Sequence, residues 1–380
     1  LRISGKSYID GMGIREVCVE FDRVIRDVRS QCIPDLKLRD DELLLPGSID
    51  LHVHVRGLKL SYKEDVSTAT SEAVYGGVTL IGDMPNTDPY LNTVEAVTQK
   101  LREMERSRTD FVVYAGVGRE TERIDRLPIA GYKVFPEDLE KPELKDVVSS
   151  SKLKILHPEI PLSLHGDRSM RMEWQELAAV RMIHGRFHVT HCTTNFTVEL
   201  SKTMGFTTDL TPHHLLLEER DCLTKVNPPI RNLEIRRSLW NSLWTADAMV
   251  SDHAPHAYHE KRSHQDLCPP GIAGVSFTTP FIYSLVFSGA MELSRGVHLL
   301  STGPARILNL SMGRIAENYV ANFTVVRKEN WRYSTSFSKV TQTPFDGYPL
   351  LARVSQTIVE GKVAFDGDEV YPVRGVNAVV

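Results

Sequence analysis

The stretch IDLHVHVR, Ile49 to Arg56, reads as a β-strand carrying two imidazoles and a guanidinium at i, i+2 and i+4. Successive strand side chains alternate faces, so the spacing predicts His52, His54 and Arg56 on one side. Two neutral imidazoles converging from one strand can share a divalent metal, and a cation beyond them can hold an anionic group of a substrate. A pair of polar core histidines would have the same spacing. Only ligands from elsewhere in the chain separate the two readings.

Before this stretch, residues 1 to about 45 alternate in short segments such as REVCVEFDRVIRDV, with turn signals around Gly11 to Gly13 and at Pro34. This predicts hairpin strands. From Leu43 the texture changes to short apolar runs that end in chemically capable residues and lead into helix-compatible text. LLLPGSIDLHVH, VTLIGDMPN, DFVVYAGV, GYKVFP, PLSLHGD, FHVTHC, DLTPHHLLL and AMVSDHAPH make eight such runs. Eight parallel strands separated by helices predict an α/β fold of the (β/α)8 TIM-barrel type, with the site at the C-terminal strand ends. After about Gly313 the chain returns to strand-like text, and VEGKVAFDG reads as a hairpin. The expected organisation is a barrel over 46–313 beside a small β-sandwich domain built from 1–45 plus 314–380.

Composition sets bounds on the function. With 380 residues, 41% hydrophobic and 25% charged, the chain can bury a barrel-sized core without staples. The net charge of -4, with scattered Lys and Arg, predicts no nucleic-acid or membrane-surface partner and favours a small molecule. Cys18, Cys32, Cys192, Cys222 and Cys268 are widely spaced, odd in number and without a CxxC pair, so free cytosolic thiols are expected. LRISGKSYID lacks a signal pattern and no apolar stretch is long enough to span a bilayer, which points to a cytoplasmic location.

A hydrolytic two-metal site needs nitrogen and oxygen ligands from several strands and a group between the ions. His52 and His54, His165 from PLSLHGD, His191 from FHVTHC and Asp252 from AMVSDHAPH can supply the ligands. Asp252 could both ligate and accept a proton, although Asp also suits a helix N-cap. Lys133 in GYKVF cannot bind a metal as an ammonium. The carbamate of its neutral amine offers two anionic oxygens, while a loop lysine reaching solvent is the plainer alternative. His213 and His214 read as supporting or packing residues. His157 in KILHPEI competes with His165, but it precedes an apolar run instead of ending one, so His165 is the expected ligand.

Together these motifs resemble the dihydroorotase family of the amidohydrolase superfamily. PGSIDLHVHVR, GGVTLIGDMPNT, GYKVF, PLSLHGD, FHVTHC, TPHHLLL, KVNPPIR, SDHAPH and PPGIAG occur in family order over roughly Leu45 to Gly274. HxH alone marks only the superfamily; HxHxR, DMPNT and SDHAPH in combination are far more specific. The resemblance implies two zinc ions per chain, one on His52, His54 and Asp252 and one on His165 and His191, bridged by a carboxylated Lys133 and a hydroxide. It further implies that Arg56, Asn86 and His256 hold the substrate carboxylate, while Asn227, Pro270 and Gly271 touch the dihydropyrimidine ring. The implied reaction is the reversible hydrolysis of L-dihydroorotate to N-carbamoyl-L-aspartate in pyrimidine biosynthesis, with Asp252 moving the proton.

One departure stands out. After Arg56 the family usually continues with an acidic residue, Pro and Gly before YKED, whereas this chain has GLKLSYKED. FPEDLEKP, 135–142, is a candidate cover for the site. Among rivals, a dihydropyrimidinase, hydantoinase or allantoinase relative would share the metals without needing Arg56 to hold a carboxylate, and a one-metal deaminase would not need Lys133. An inactive relative serving as partner of another pyrimidine enzyme would have lost ligands that are all present here. A homo-oligomer, or association with a pathway enzyme, is left open.

Overall fold

The computed structural model describes residues 1–165, 168–264 and 267–379. Both ends of the chain contribute to one sheet. Strands β1 (Arg2–Ile9), β2 (Gly13–Phe21) and β3 (Ile25–Arg29) form an antiparallel meander, and the short β4 (Leu36–Lys37) pairs with β1. Next comes β5 (Glu42–Pro46), which lies parallel to β1 at Ser7 and Leu44.

The following eight strands form a second, parallel sheet: β6 (Ser48–Val53), β7 (Val78–Asp83), β8 (Asp110–Gly116), β9 (Gly131–Val134), β10 (Leu153–Leu156), β11 (His188–Val189), β12 (Thr207–Leu210) and β13 (Ala248–Met249). Every residue of β6, β7, β8 and β9 is buried, as expected of parallel strands covered on both faces. The last and first strands meet through a bridge between Val53 and His253 and a hydrogen bond from the His54 amide to the His253 carbonyl, 2.7 Å. This is a (β/α)8 barrel, and its seam closes beside the expected metal ligands.

The terminal sheet is completed by β14 (Phe323–Arg332), β15 (Pro349–Val359) and β16 (Lys362–Phe365). Antiparallel pairing of β14 with β5, Phe323 opposite Pro46, joins the two ends of the chain. The turn in VEGKVAFDG is the β15–β16 hairpin, with Glu360 and Gly361 both at positive φ as a tight primed turn requires. Helix Thr278–Phe287 seats the sheet against the barrel, its Ser284 hydroxyl accepting from the Leu351 and Ala352 amides. At the N-terminal end of the barrel, Val376 and Ala378 bond to both sides of Phe111 in β8. Ala378 and Val379 pack on Met84, Val112, Tyr114 and Ile155.

Two expectations need correction. The fifth strand is LKIL of β10, which pairs with β9 and β11, not PLSLHGD. Pro161–Leu164 instead forms a single 3-10 turn opened by Pro161, and Gly166 and Asp167 of that motif lie outside the described residues. The cysteines are also not all free. Cys18 pairs with Cys32 and Cys222 with Cys268, at Cα separations of 5.9 and 6.0 Å, and only Cys192 is a buried free thiol. The pairs are far apart in sequence and are brought together by the β2–β3 hairpin and by two loops over the barrel.

Candidate metal centre and substrate cavity

His52 lies near the C-terminal end of β6 with its imidazole pinned by the neighbouring strands. Thr190 donates its hydroxyl proton to Asp209 Oδ2 at 2.9 Å, so it accepts from His52 Nδ1 at 2.7 Å. That leaves the lone pair on His52 Nε2 facing Asp252 Oδ1 at 3.3 Å. The same logic applies to His54, whose Nδ1 donates to Asn86 Oδ1 at 2.5 Å while Nε2 faces Asp252 Oδ1 at 3.1 Å. Burial pushes the His52 pKa well below its ordinary value, so the ring is neutral. Burial alone would raise the Asp252 carboxyl, yet His52, His54 and His213 hold it far below the usual carboxylate range. Imidazole lone pairs facing a carboxylate oxygen repel unless a cation lies between them. Donor atoms of His52, His191 and Asp252 all lie within 4.8 Å of one another, so the set fits a metal ion.

A second group of donors adjoins the first. His191 follows β11, its amide held by Asp209 and its ring 5.1 Å from that of His52, and its Nδ1 has no hydrogen-bond partner. His157 follows β10 directly, with its ring edge-on to His191 at 4.6 Å and Nε2 donating to Glu159 at 2.6 Å, which leaves Nδ1 bare. Lys133 of β9 is completely buried and its Nζ finds no hydrogen-bond partner. Desolvation lowers its pKa to about 7. A buried, unpartnered amine would be costly unless its chemistry is used.

Around these groups lies a cavity of about 740 Å³, including its open mouth, lined by His52, His54, Arg56, Asn86, Lys133 and Asp252 among others. That size suits a small molecule. Arg56 is buried, with Nε donating to the Pro255 carbonyl at 3.1 Å and Nη2 3.2 Å from His256 Nε2. His256 stays neutral through burial and the cations Arg56, Lys63 and Lys261. It touches Arg56 from behind and does not line the cavity. Asn227, Pro270 and Gly271 form one wall.

Three lining residues, Arg56, His191 and Asp252, have φ of 62°, 40° and 46°. Left-handed backbone is costly for side-chain-bearing residues and gathers where function demands it.

His165, the expected ligand, is exposed at the end of the Pro161–Leu164 turn and does not line the cavity. His157, which directly follows the true fifth strand, lines the cavity instead. Arg171 and Glu137 also line the cavity and were not foreseen. Arg171 carries no motif of its own. Glu137 lies in FPEDLEKP, whose Phe135 and Pro136 line the same wall.

A family model described as Dihydro-orotase-like matches residues 41–138. The curated dihydroorotase of Sulfolobus acidocaldarius is 57% identical over 380 residues, covering 99% of this chain and 97% of its own length. That of Saccharolobus solfataricus is 54% identical, with 99% and 98% covered. The chain belongs to the dihydroorotase family. Membership is carried by sequence along the whole chain, because the solved structures it resembles speak only to the fold. The L-hydantoinase (dihydropyrimidinase) from Arthrobacter aurescens superposes with a TM-score of 0.87 at 22% identity, covering 97% of each chain. Family relationship implies a metal cofactor for a dihydroorotase-like cavity, and the donor set described above fits one.

Proposed function

We propose that this cavity opens L-dihydroorotate to N-carbamoyl-L-aspartate and closes it again. The observation carrying this reading is Arg56, a buried guanidinium in the same cavity as the His52, His54 and Asp252 donors. A guanidinium beside carbonyl-activating chemistry suits a cyclic amide that also bears a carboxylate. The uncharged rings of hydantoin and dihydrouracil have no use for it.

In this reading two zinc ions would be held per chain, one by His52, His54 and Asp252 and the other by His157 and His191, and Lys133 as its carbamate would add its oxygens to the donor set. Such ions would supply Lewis-acid chemistry, polarising an amide carbonyl and acidifying a bound water. The protein groups do the rest. Arg56 and Asn86 hold the ring carboxylate, with His256 steadying Arg56, and Asn227, Pro270 and Gly271 confine the ring. Asp252, kept ionised by its histidines, takes the proton of the attacking water and delivers it to the departing ring nitrogen. Ring closure uses the same groups in reverse. Lys133 suits carbamate formation because burial favours its neutral amine.

The barrel, 46–313, would then carry the chemistry, and 1–45 plus 314–380 would form the accessory domain. The same reading assigns the protein a small-molecule substrate and a cytoplasmic location. No helix among the described residues is long and apolar enough to cross a membrane. Disulfides persist in some intracellular proteins, notably those of hyperthermophilic archaea.

The test is ring opening of L-dihydroorotate by purified protein, followed by ultraviolet absorbance, with metal measured on the same sample. Turnover that disappears on chelation and returns with zinc supports the reading. Fully metallated protein that opens hydantoin or dihydrouracil but not dihydroorotate would refute it.

A further inference from the structure

Arg56 opens a run of three consecutive residues in left-handed backbone: Arg56 at φ 62°, Gly57 at 63° and Leu58 at 48°. Only the middle one is glycine, so this turn does not form for free. Helix Val94–Met104 holds it from behind. Lys100 of that helix is completely buried, and its ammonium reaches the Arg56 carbonyl at 3.0 Å, Glu103 Oε2 at 3.0 Å and Asp83 Oδ2 at 3.3 Å. Two hydrogen bonds and an ion pair with Asp83 thus hold the ammonium.

Its two carboxylate partners grip the same turn. Glu103 Oε1 accepts from the Leu58 amide at 2.9 Å, and Asp83 Oδ1 accepts from the Val55 amide at 2.9 Å. The network therefore binds the chain on both sides of Arg56 and at its own carbonyl. A Cβ on Gly57 would stand 2.4 Å from Glu103 Oε2, so a side chain there would have to displace the carboxylate that holds the turn. The carboxylate that accepts from the Leu58 amide comes from a helix some 45 residues later.

We propose that Lys100 is a positioning residue for substrate recognition, its buried clamp with Asp83 and Glu103 setting the turn that aims Arg56 at the substrate carboxylate. The proposal rests on the reading of Arg56 given above.

The test is a double-mutant cycle on the metal-loaded enzyme, with KM and kcat for L-dihydroorotate and metal content measured for Lys100→Met, Arg56→Ala and the pair. Lys100→Met should raise KM on the order of tenfold, the scale of one charge-assisted contact, with metal content kept and kcat changed far less. The double variant should be no worse than Arg56→Ala alone, because Lys100 acts through Arg56. Glu103→Gln, at a partly exposed site, should raise KM in the same direction and carries the test if Lys100→Met does not fold. Unchanged KM in the Lys100 and Glu103 variants, additive losses in the double variant, or lost metal and kcat at constant KM would each overturn the proposal. If Arg56→Ala itself leaves KM unchanged, it is the substrate reading that fails.

Discussion

Asp252 is the residue on which the proposed chemistry turns, because it faces two imidazole nitrogens and is the one carboxylate of the clustered donors. Asp252→Asn should lower turnover by about 10² to 10⁴, the usual cost of a lost general base, or by more if metal is lost with it. Full turnover in that variant, assayed with metal content on the same sample, would sink the proton role. The histidines allow a sharper comparison. His157→Ala should lose metal and activity together, whereas His165→Ala should keep both, and the reverse pattern would return His165 to the centre. Most of the candidate donors could be read from residue type and position alone, since His52, His54, Lys133, His191 and Asp252 all end or follow apolar runs. His157 was obscured because Lys154 interrupts the short strand before it, while PLSL looks strand-like until Pro161 starts a tight turn.

At the scale of elements, seven of the eight parallel strands and the terminal hairpins were legible from alternating and continuous apolar runs, and the fifth strand was placed a few residues too late. Pairings between distant loops were not. Cys222 and Cys268 are 46 residues apart and join two loops whose neighbours, Asn227 on one side and Pro270 and Gly271 on the other, line the cavity. No local pattern announces such a bond, because it is made by tertiary approach. Breaking it frees a long loop in the unfolded chain, so Cys222→Ser together with Cys268→Ser should cost about 2 to 4 kcal/mol. Urea unfolding of the variant beside the parent measures this. A parent midpoint unmoved by dithiothreitol, with the thiols shown to be reduced, would count against any stabilising role for the bond.

The two sheets of the whole molecule meet at a charged seam that makes its stability depend on pH. Asp110 at the start of β8 accepts from the Val376 amide at 2.9 Å and from Asn322 at 2.6 Å, near the Arg23–Glu360 pair. Burial first, and Glu360 second, push its carboxyl up to about 7, against about 3.9 in an unfolded chain. Between those values the folded state holds a proton that the unfolded state lacks, so this group's contribution falls as pH rises from about 4 to about 7. Asp110→Ala removes that slope while losing two hydrogen bonds. Its urea midpoint should lie below the parent's at pH 5, and the gap should narrow at pH 8; a constant gap would show that Asp110 is already ionised at pH 5.

The pairing of β5 with β14 also sets a timetable for synthesis. Pro46 leaves the ribosome early, yet its partner Phe323 follows about 280 residues behind. At roughly 5 to 20 residues per second, the first strands wait on the order of 15 to 60 s for the far end of their own sheet. During that interval Leu43, Leu44 and Leu45, all buried in the finished protein, have no β14 beside them. The terminal sheet is therefore completed only after the barrel strands between its two halves have been made, although its first strands are translated before them.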